Sequence, residues 1–259
     1  MKKLIALMLA ILMTLILFAG CGAKEGSDLA AVKKAKKIVV GITDYAPMDY
    51  KDDNGEWTGF DAEFARLFAA ELGVEVEFFV LSDWGQKFYE LETKNIDCVW
   101  NGMTITEEAL LNASVSDPYV VNAQVIVMKA DAIANYPDTD SIKGLSFAVE
   151  SGSAGEAALV DLGITGFTAL QDQTSALMEV KAGTADACVI DITMANAMTG
   201  EGTNYADLAA GISLTSEEYG VAFRKDSDLT AKFNDFMAKL IADGTLQALA
   251  DKYQLTLAK

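Results

Sequence analysis

Along the chain, short β-branched runs alternate with stretches whose apolar residues return every three or four positions. Residues 38–42 read as a strand, and Asn54-Gly55 between Asp49-Tyr50 and Trp57-Thr58 is a hairpin-turn signal. Phe64, Leu67, Phe68 and Leu72 recur at helical spacing, with Asp61 placed to cap that helix and Gly73 to end it. A strand over 74–81, a helix over about 85–93 and a strand over 96–100 follow. The second half repeats the theme: strand 146–149, helix 154–162, strand 167–170, helix 174–182, strand 187–191. Near the C-terminus, 219–223 is strand-like. Leu229, Phe233, Phe236, Met237 and Leu240 then line one face of a helix, which Asp243-Gly244 breaks before Leu246, Leu249 and Tyr253 start another. The alternation predicts an α/β protein with mainly parallel sheets. Segments 94–99 and 182–189 both run from a helix end through an Asp into a cysteine-bearing strand, which suggests two lobes of similar build, chance being the alternative for so short a match.

The N-terminus has a different pattern. Lys2 and Lys3 precede an apolar run over 4–19, broken only by Thr14 and ending in Phe18-Ala19-Gly20-Cys21. A positive flank, a short hydrophobic core and small residues make residues 1–20 an export signal peptide. Its sixteen apolar-run residues fall short of the ~20 that cross a bilayer as a helix. The cysteine after it resembles a bacterial lipoprotein signal, although Phe18 stands where that pattern usually has Leu. That resemblance implies cleavage after Gly20 and a lipid on the Cys21 thiol. Two acyl chains, at about 0.8 kcal/mol per buried CH₂, are then enough to tether the domain. Residues 21–35 are expected to be a flexible tether, small and polar at first, while Lys33, Lys34, Lys36 and Lys37 read as a solvated helix end before the first strand, a pull toward anionic headgroups being the alternative.

Charge and composition narrow the partners. Taking Lys2 and Lys3 from the 20 basic residues leaves 18 against 38 acidic ones, a formal −20, which makes nucleic acid an unsuitable partner. The chain has no histidine, so imidazole-based triads and proton shuttles are excluded. Beyond Cys21 only Cys98 and Cys188 remain, each in an apolar run, and they read as buried free thiols.

An ordered series of motifs covers residues 36–255: Val40-Gly41 into Tyr45-Ala46-Pro47; Gly59-Phe60-Asp61; Ile96-Asp97 into Asn101-Gly102-Met103-Thr104-Ile105-Thr106; Ser116-Asp117-Pro118-Tyr119; Ala185-Asp186-Ala187 to Asp191; Tyr219-Gly220-Val221-Ala222; and Asp243-Gly244-Thr245-Leu246. This series resembles the extracytoplasmic solute-binding proteins of polar amino-acid ABC transporters, the bacterial family 3 type. The resemblance implies a type II periplasmic-binding-protein-like α/β fold, with hinge-linked lobes closing on one small ligand. By position, lobe 1 is expected over 36–119 and 216–259, and lobe 2 over 120–215.

The same resemblance implies the ligand-binding residues. Tyr45 and Trp84 are expected to offer aromatic walls. Asn101, Gly102, Met103 and Thr104 are expected to meet the ligand through backbone groups and the Thr104 hydroxyl. Ser153 and Ala154, opening a helix, favour an anionic group, and Asp191 matches the carboxylate that holds a ligand's ammonium. Asp44 and Glu150 add negative charge beside Tyr45 and the Ser-Gly-Ser loop. After Thr106, however, the family has Glu-Arg, the arginine gripping the ligand's carboxylate, where this chain has Glu107-Glu108-Ala109. Three explanations stand open: Lys87 replaces the arginine, the Ser153–Gly155 amides hold the carboxylate alone, or the ligand is an amine without an α-carboxylate.

The function implied is capture of a small amino acid or similar solute outside the cytoplasmic membrane and its delivery to a permease. The chain is expected to be a monomer and not an enzyme, with no catalytic residue, metal or cofactor. The rival readings on this fold are a dehydratase of small prephenate-like acids and a sensor ectodomain.

Overall fold

The computed structural model describes residues 26–259; the signal peptide, Cys21 and the start of the tether lie outside them. Helix α1 (Asp28–Ala35) leads into strand β1 (Lys37–Ile42). The segment read as tether is therefore helical over its last eight residues. Ser27 caps α1, and Arg224 holds the helix to the body by pairing with Asp28 at 3.1 Å and Asp97 at 2.9 Å. A long-range ion network of this kind leaves no periodic trace in a local stretch of small and basic residues.

The Asn54-Gly55 turn joins β2 (Tyr50–Lys51) to β3 (Trp57–Thr58), as the sequence predicts. Helix α2 (Phe60–Leu72) starts one residue before Asp61, so Gly59 holds the N-cap position. Asp61 is instead buried in the first turn, where its Oδ2 accepts from the Gly102 amide (2.6 Å) and the Tyr119 hydroxyl (2.8 Å). Burial raises its pKa to about 7. Strand β4 (Glu75–Val80), helix α3 (Lys87–Glu92) after a short 3₁₀ turn at Trp84–Gln86, strand β5 (Cys98–Val99), helix α4 (Glu107–Asn112) and strand β6 (Ser114–Val115) complete the first half.

Strand β7 (Val120–Asn122) carries the chain across to a second sheet built from β8 (Gln124–Lys129), β9 (Phe147–Glu150), β10 (Phe167–Leu170), β11 (Ala187–Asp191) and β12 (Leu208–Ser213). Its helices are α5 (Ala154–Asp161), α6 (Gln173–Ala182) and α7 (Ile192–Met198). Strand β13 (Glu217–Tyr219) returns the chain, and β14 (Ala222–Phe223), α8 (Asp228–Ala242) and α9 (Thr245–Lys252) finish on the first lobe. The stretch expected to be one strand over 219–223 is thus divided. Its first part pairs with β7 between the lobes, while Ala222 and Phe223 pair with β5 and β6.

The first sheet has the order β4-β1-β5-β14-β6 and the second β10-β9-β11-β8-β12. Each holds two parallel and two antiparallel pairings, so the expectation of mainly parallel sheets is corrected. The antiparallel pairings arise where a strand enters from, or leaves for, the β7–β13 crossing. The first core lies between sheet, α2 and α8. Phe60, Phe64 and Phe68 recur at one helical face, and Trp100 meets both Phe64 and Phe233 at 4.9 Å between ring centroids. Each such ring contributes roughly 1.5–3 kcal/mol through burial. Cys98 and Cys188 are free and buried.

Candidate functional site

Strands β1 and β5 of one sheet, and β9 and β11 of the other, direct their C-terminal ends at a common cleft. Open α/β sheets place ligands there because the strand ends free backbone groups and loops for contact. A cavity of about 360 Å³ occupies the cleft, within the roughly 300–1,000 Å³ of small-molecule sites.

From lobe 1, Tyr45, Trp84, Asn101, Gly102, Met103 and Thr104 line it; from lobe 2, Ser153, Ala154 and Asp191 do. Asp44 lies outside the lining, with an exposed side chain whose pKa is raised by partial burial and by Asp172. Several of these residues are already engaged within the protein. Asn101 Oδ1 accepts from the Thr43 amide and hydroxyl, and its Nδ2 donates to Asp49 at 2.8 Å, so its side chain fixes the loop after β1. The Gly102 amide is taken by Asp61. Gly102 has φ +56°, and a Cβ there would lie 2.6 Å from the Tyr45 ring, so only glycine brings the backbone this close. Thr104 donates to Glu217 Oε1 at 3.1 Å.

Tyr45 closes the inner end of the cleft. Its hydroxyl hydrogen-bonds Thr193 of lobe 2 at 2.6 Å and also Tyr219 of the crossing strand. At the mouth, Lys87 Nζ donates to the Gly152 carbonyl of lobe 2 and the Trp84 carbonyl, both at 3.3 Å, and stands 4.9 Å from the Trp84 ring centroid. The lobes are therefore joined on both sides of the cavity.

Asp191 is held by amides. Its Oδ1 accepts from Asn122 and from Gln124 (2.7 Å), and its Oδ2 from Gln173. It makes no side-chain cap to α7. Asn122 and Gln124 also donate to Glu217 Oε1, each at 2.6 Å, so two carboxyls share the same donors. Burial, then Glu217, raise Asp191 to about 6 against these donors. Ser153 caps α5 by accepting from the Glu156 amide at 3.1 Å.

The family model for bacterial extracellular solute-binding proteins, family 3, matches residues 38–256. The chain belongs to that family. It is 30% identical over 252 residues to the L-cystine-binding protein TcyJ of Escherichia coli (strain K12), covering 93% of this chain and 92% of that one. It is 30% identical over 261 residues to the arginine-binding extracellular protein ArtP of Bacillus subtilis (strain 168), covering 98% of each. Its structure resembles that of the P235GK mutant of ArgBP from T. maritima, with a TM-score of 0.81 and 32% identity over 87% of this chain and 98% of that one. The fold is accordingly the two-lobed α/β architecture of the periplasmic amino-acid-binding proteins.

Against that family pattern, Ala109 is buried at the start of α4 among Leu81, Trp84 and Met103, and supplies no charge to the cleft. Lys87 is the one basic side chain lining the cavity among the described residues. Burial lowers its pKa, while Glu108 and Glu150 hold it up. Sequence reasoning missed Gln124 and Gln173, which line the cavity, and Thr193 and Glu217, which hydrogen-bond residues that line it. Their one local signal is position, since Gln124 begins β8 and Gln173 begins α6.

Proposed function

We propose that this chain captures a small amino acid outside the cytoplasmic membrane and hands it to the permease of an ABC transporter. The observation that carries the reading is the pairing of opposite partners across one cavity. Asp191 stands as the acceptor for an α-ammonium, and Lys87 with the first-turn amides of α5 forms a donor set for an α-carboxylate. The relatives named for cystine and arginine support an amino-acid ligand. Lys87 acts as a point charge where the family uses a fork of N–H groups, so the carboxylate grip is less directional.

The chain binds its ligand without transforming it. With no histidine, a dehydratase would have to draw its acid and base from the same carboxyls and lysine that the ligand's charges occupy. A thermal-shift screen over the common amino acids and simple amines tests the reading. Ligand at 100 times its Kd adds about 2.7 kcal/mol, or ~5–10 °C in a chain of this size. Amino acids that shift the melting point support it. A shift by amines alone refutes it.

We further assign the membrane anchor to the lipidated Cys21, with the permease beside it. Expressed in a bacterium with its leader intact, the protein is expected in the membrane fraction, and Cys21→Ala is expected to release it in a form that still binds ligand. Equal partitioning of the two proteins refutes the anchor.

A further inference from the structure

Five acids line the cavity against the single lysine. Glu107, Glu108 and Asp161 are exposed at its rim, whereas Glu150 and Asp191 are buried, each 4% exposed. The two buried carboxyls are not alike. Asp191 accepts three side-chain amides, while Glu150 Oε1 has no hydrogen-bond partner. Glu150 ends β9 beside β11, on the same cavity wall as Asp191. Lys87 does not neutralise it: its ammonium donates to the Trp84 and Gly152 carbonyls, and it forms no ion pair with Glu150 among the described residues. A zwitterionic amino acid satisfies Asp191 and Lys87 and leaves Glu150 over. A buried, ionised carboxyl without a partner is costly, so such a group holds a proton or pairs with a cation.

We propose that Glu150 is the specificity-determining residue of this cleft, taking a second cationic group on the ligand, so that the solute is a dibasic amino acid bearing an ammonium or guanidinium on its side chain. This rests on the amino-acid reading above for the placement of the α-ammonium and α-carboxylate. The role falls to a lobe 2 residue two positions before Gly152, where the carbonyl that receives Lys87 lies.

A consequence concerns protons. Burial first, then the Asp191 carboxyl, raise Glu150 to about 8; Asp172, before α6, adds to this, while the Gln173 amide and the Lys87 ammonium oppose it. With no cation beside it, Glu150 therefore favours its protonated form near neutral pH. A cation arriving beside it favours the ionised form, so the proton leaves as the ligand binds. Capture of the dibasic ligand releases close to one proton, and affinity rises between pH 6 and pH 8.

Calorimetric titration of the wild type and of Glu150→Gln with lysine, norleucine, arginine, citrulline and cadaverine, in two buffers of different ionisation enthalpy, tests this. The wild type is expected to prefer lysine over norleucine and arginine over citrulline by about 30-fold or more. Glu150→Gln is expected to lose that preference and the proton release. A melting transition as cooperative as that of the wild type shows that the variant is folded. A wild type that binds the neutral isosteres as tightly as the basic ones overturns the Glu150 proposal and leaves the amino-acid reading standing. Tight, Glu150-dependent binding of cadaverine without lysine overturns the amino-acid reading and leaves the carboxyl's role in place. Binding by none of the five overturns the proposal.

Discussion

Asp191→Ala is expected to weaken ligand binding about 30-fold or more while the protein stays folded. The carboxylate is buried, so its Coulomb attraction for an ammonium is poorly screened, and truncating one partner of such a pair costs about 2–5 kcal/mol or more. Asp191 also organises the site. Without it the side-chain amides of Asn122, Gln124 and Gln173 lose an acceptor, although Glu217 still receives two of them. Each donor left buried and unpaired costs roughly 1–3 kcal/mol, a cost softened where a second carboxyl stands in reach, Glu217 for Asn122 and Gln124 and Glu150 for Gln173. The ligand-free variant should therefore melt several degrees below the wild type, whereas its ligand-induced shift should vanish. Titration calorimetry and thermal melts read the two effects separately. A dissociation constant within threefold of the wild type would remove Asp191 from the ligand-binding set.

The pH dependence of this site has a definite sign. Asp191 is raised to about 6 by burial and Glu217, so it favours the protonated form more than a free aspartate does. Stability from this group is fully present below the unfolded pKa of about 3.9 and is lost as pH rises through 6. A bound ammonium reverses that preference. Ligand and proton therefore compete at the same wall of the cleft.

Much of the architecture is legible locally because burial there follows the periodicity of one segment. Strand 167–170 and the break at Gly244 need only neighbouring residues to be read, and α2 shows its buried face through Phe60, Phe64 and Phe68 alone. What was hidden depends on distant partners. β8 is an apolar run that periodicity cannot assign, and its antiparallel pairing with β11 and β12 follows from the crossing at β7. β12 is built largely of small residues, Ala209-Ala210-Gly211, with no alternation to betray it. Asp61 looks like a helix cap by sequence yet serves Gly102, 41 positions away. Likewise Gln124 reaches Asp191 across 67 positions and Glu217 across 93. A family motif marks Asp191; nothing local marks the amides that hold it.

Gly152→Ala is expected to lower ligand affinity about 5- to 150-fold without removing a single ligand-contacting side chain. In the closed structure a Cβ at Gly152 lies 2.7 Å from the Gly85 Cα and 3.0 Å from its nitrogen. Both are backbone atoms, so no side chain can swing aside to make room. Overpacking of this kind costs typically 1–3 kcal/mol, and at 1.36 kcal/mol per tenfold that is the range given. The φ of +68° at Gly152 adds strain of about 1–2 kcal/mol, which belongs to the turn itself and lowers stability. The steric term acts only when the lobes meet, and it also displaces the carbonyl that receives Lys87. Because a ligand shifts the open–closed equilibrium only by its differential affinity, a penalty on the closed form appears directly as lost binding. Small-angle scattering separates the causes: the wild type should contract on saturation with ligand, and the variant should need more ligand for the same contraction. Unchanged affinity in Gly152→Ala would mean that the Gly85–Gly152 contact is not part of the ligand-bound form.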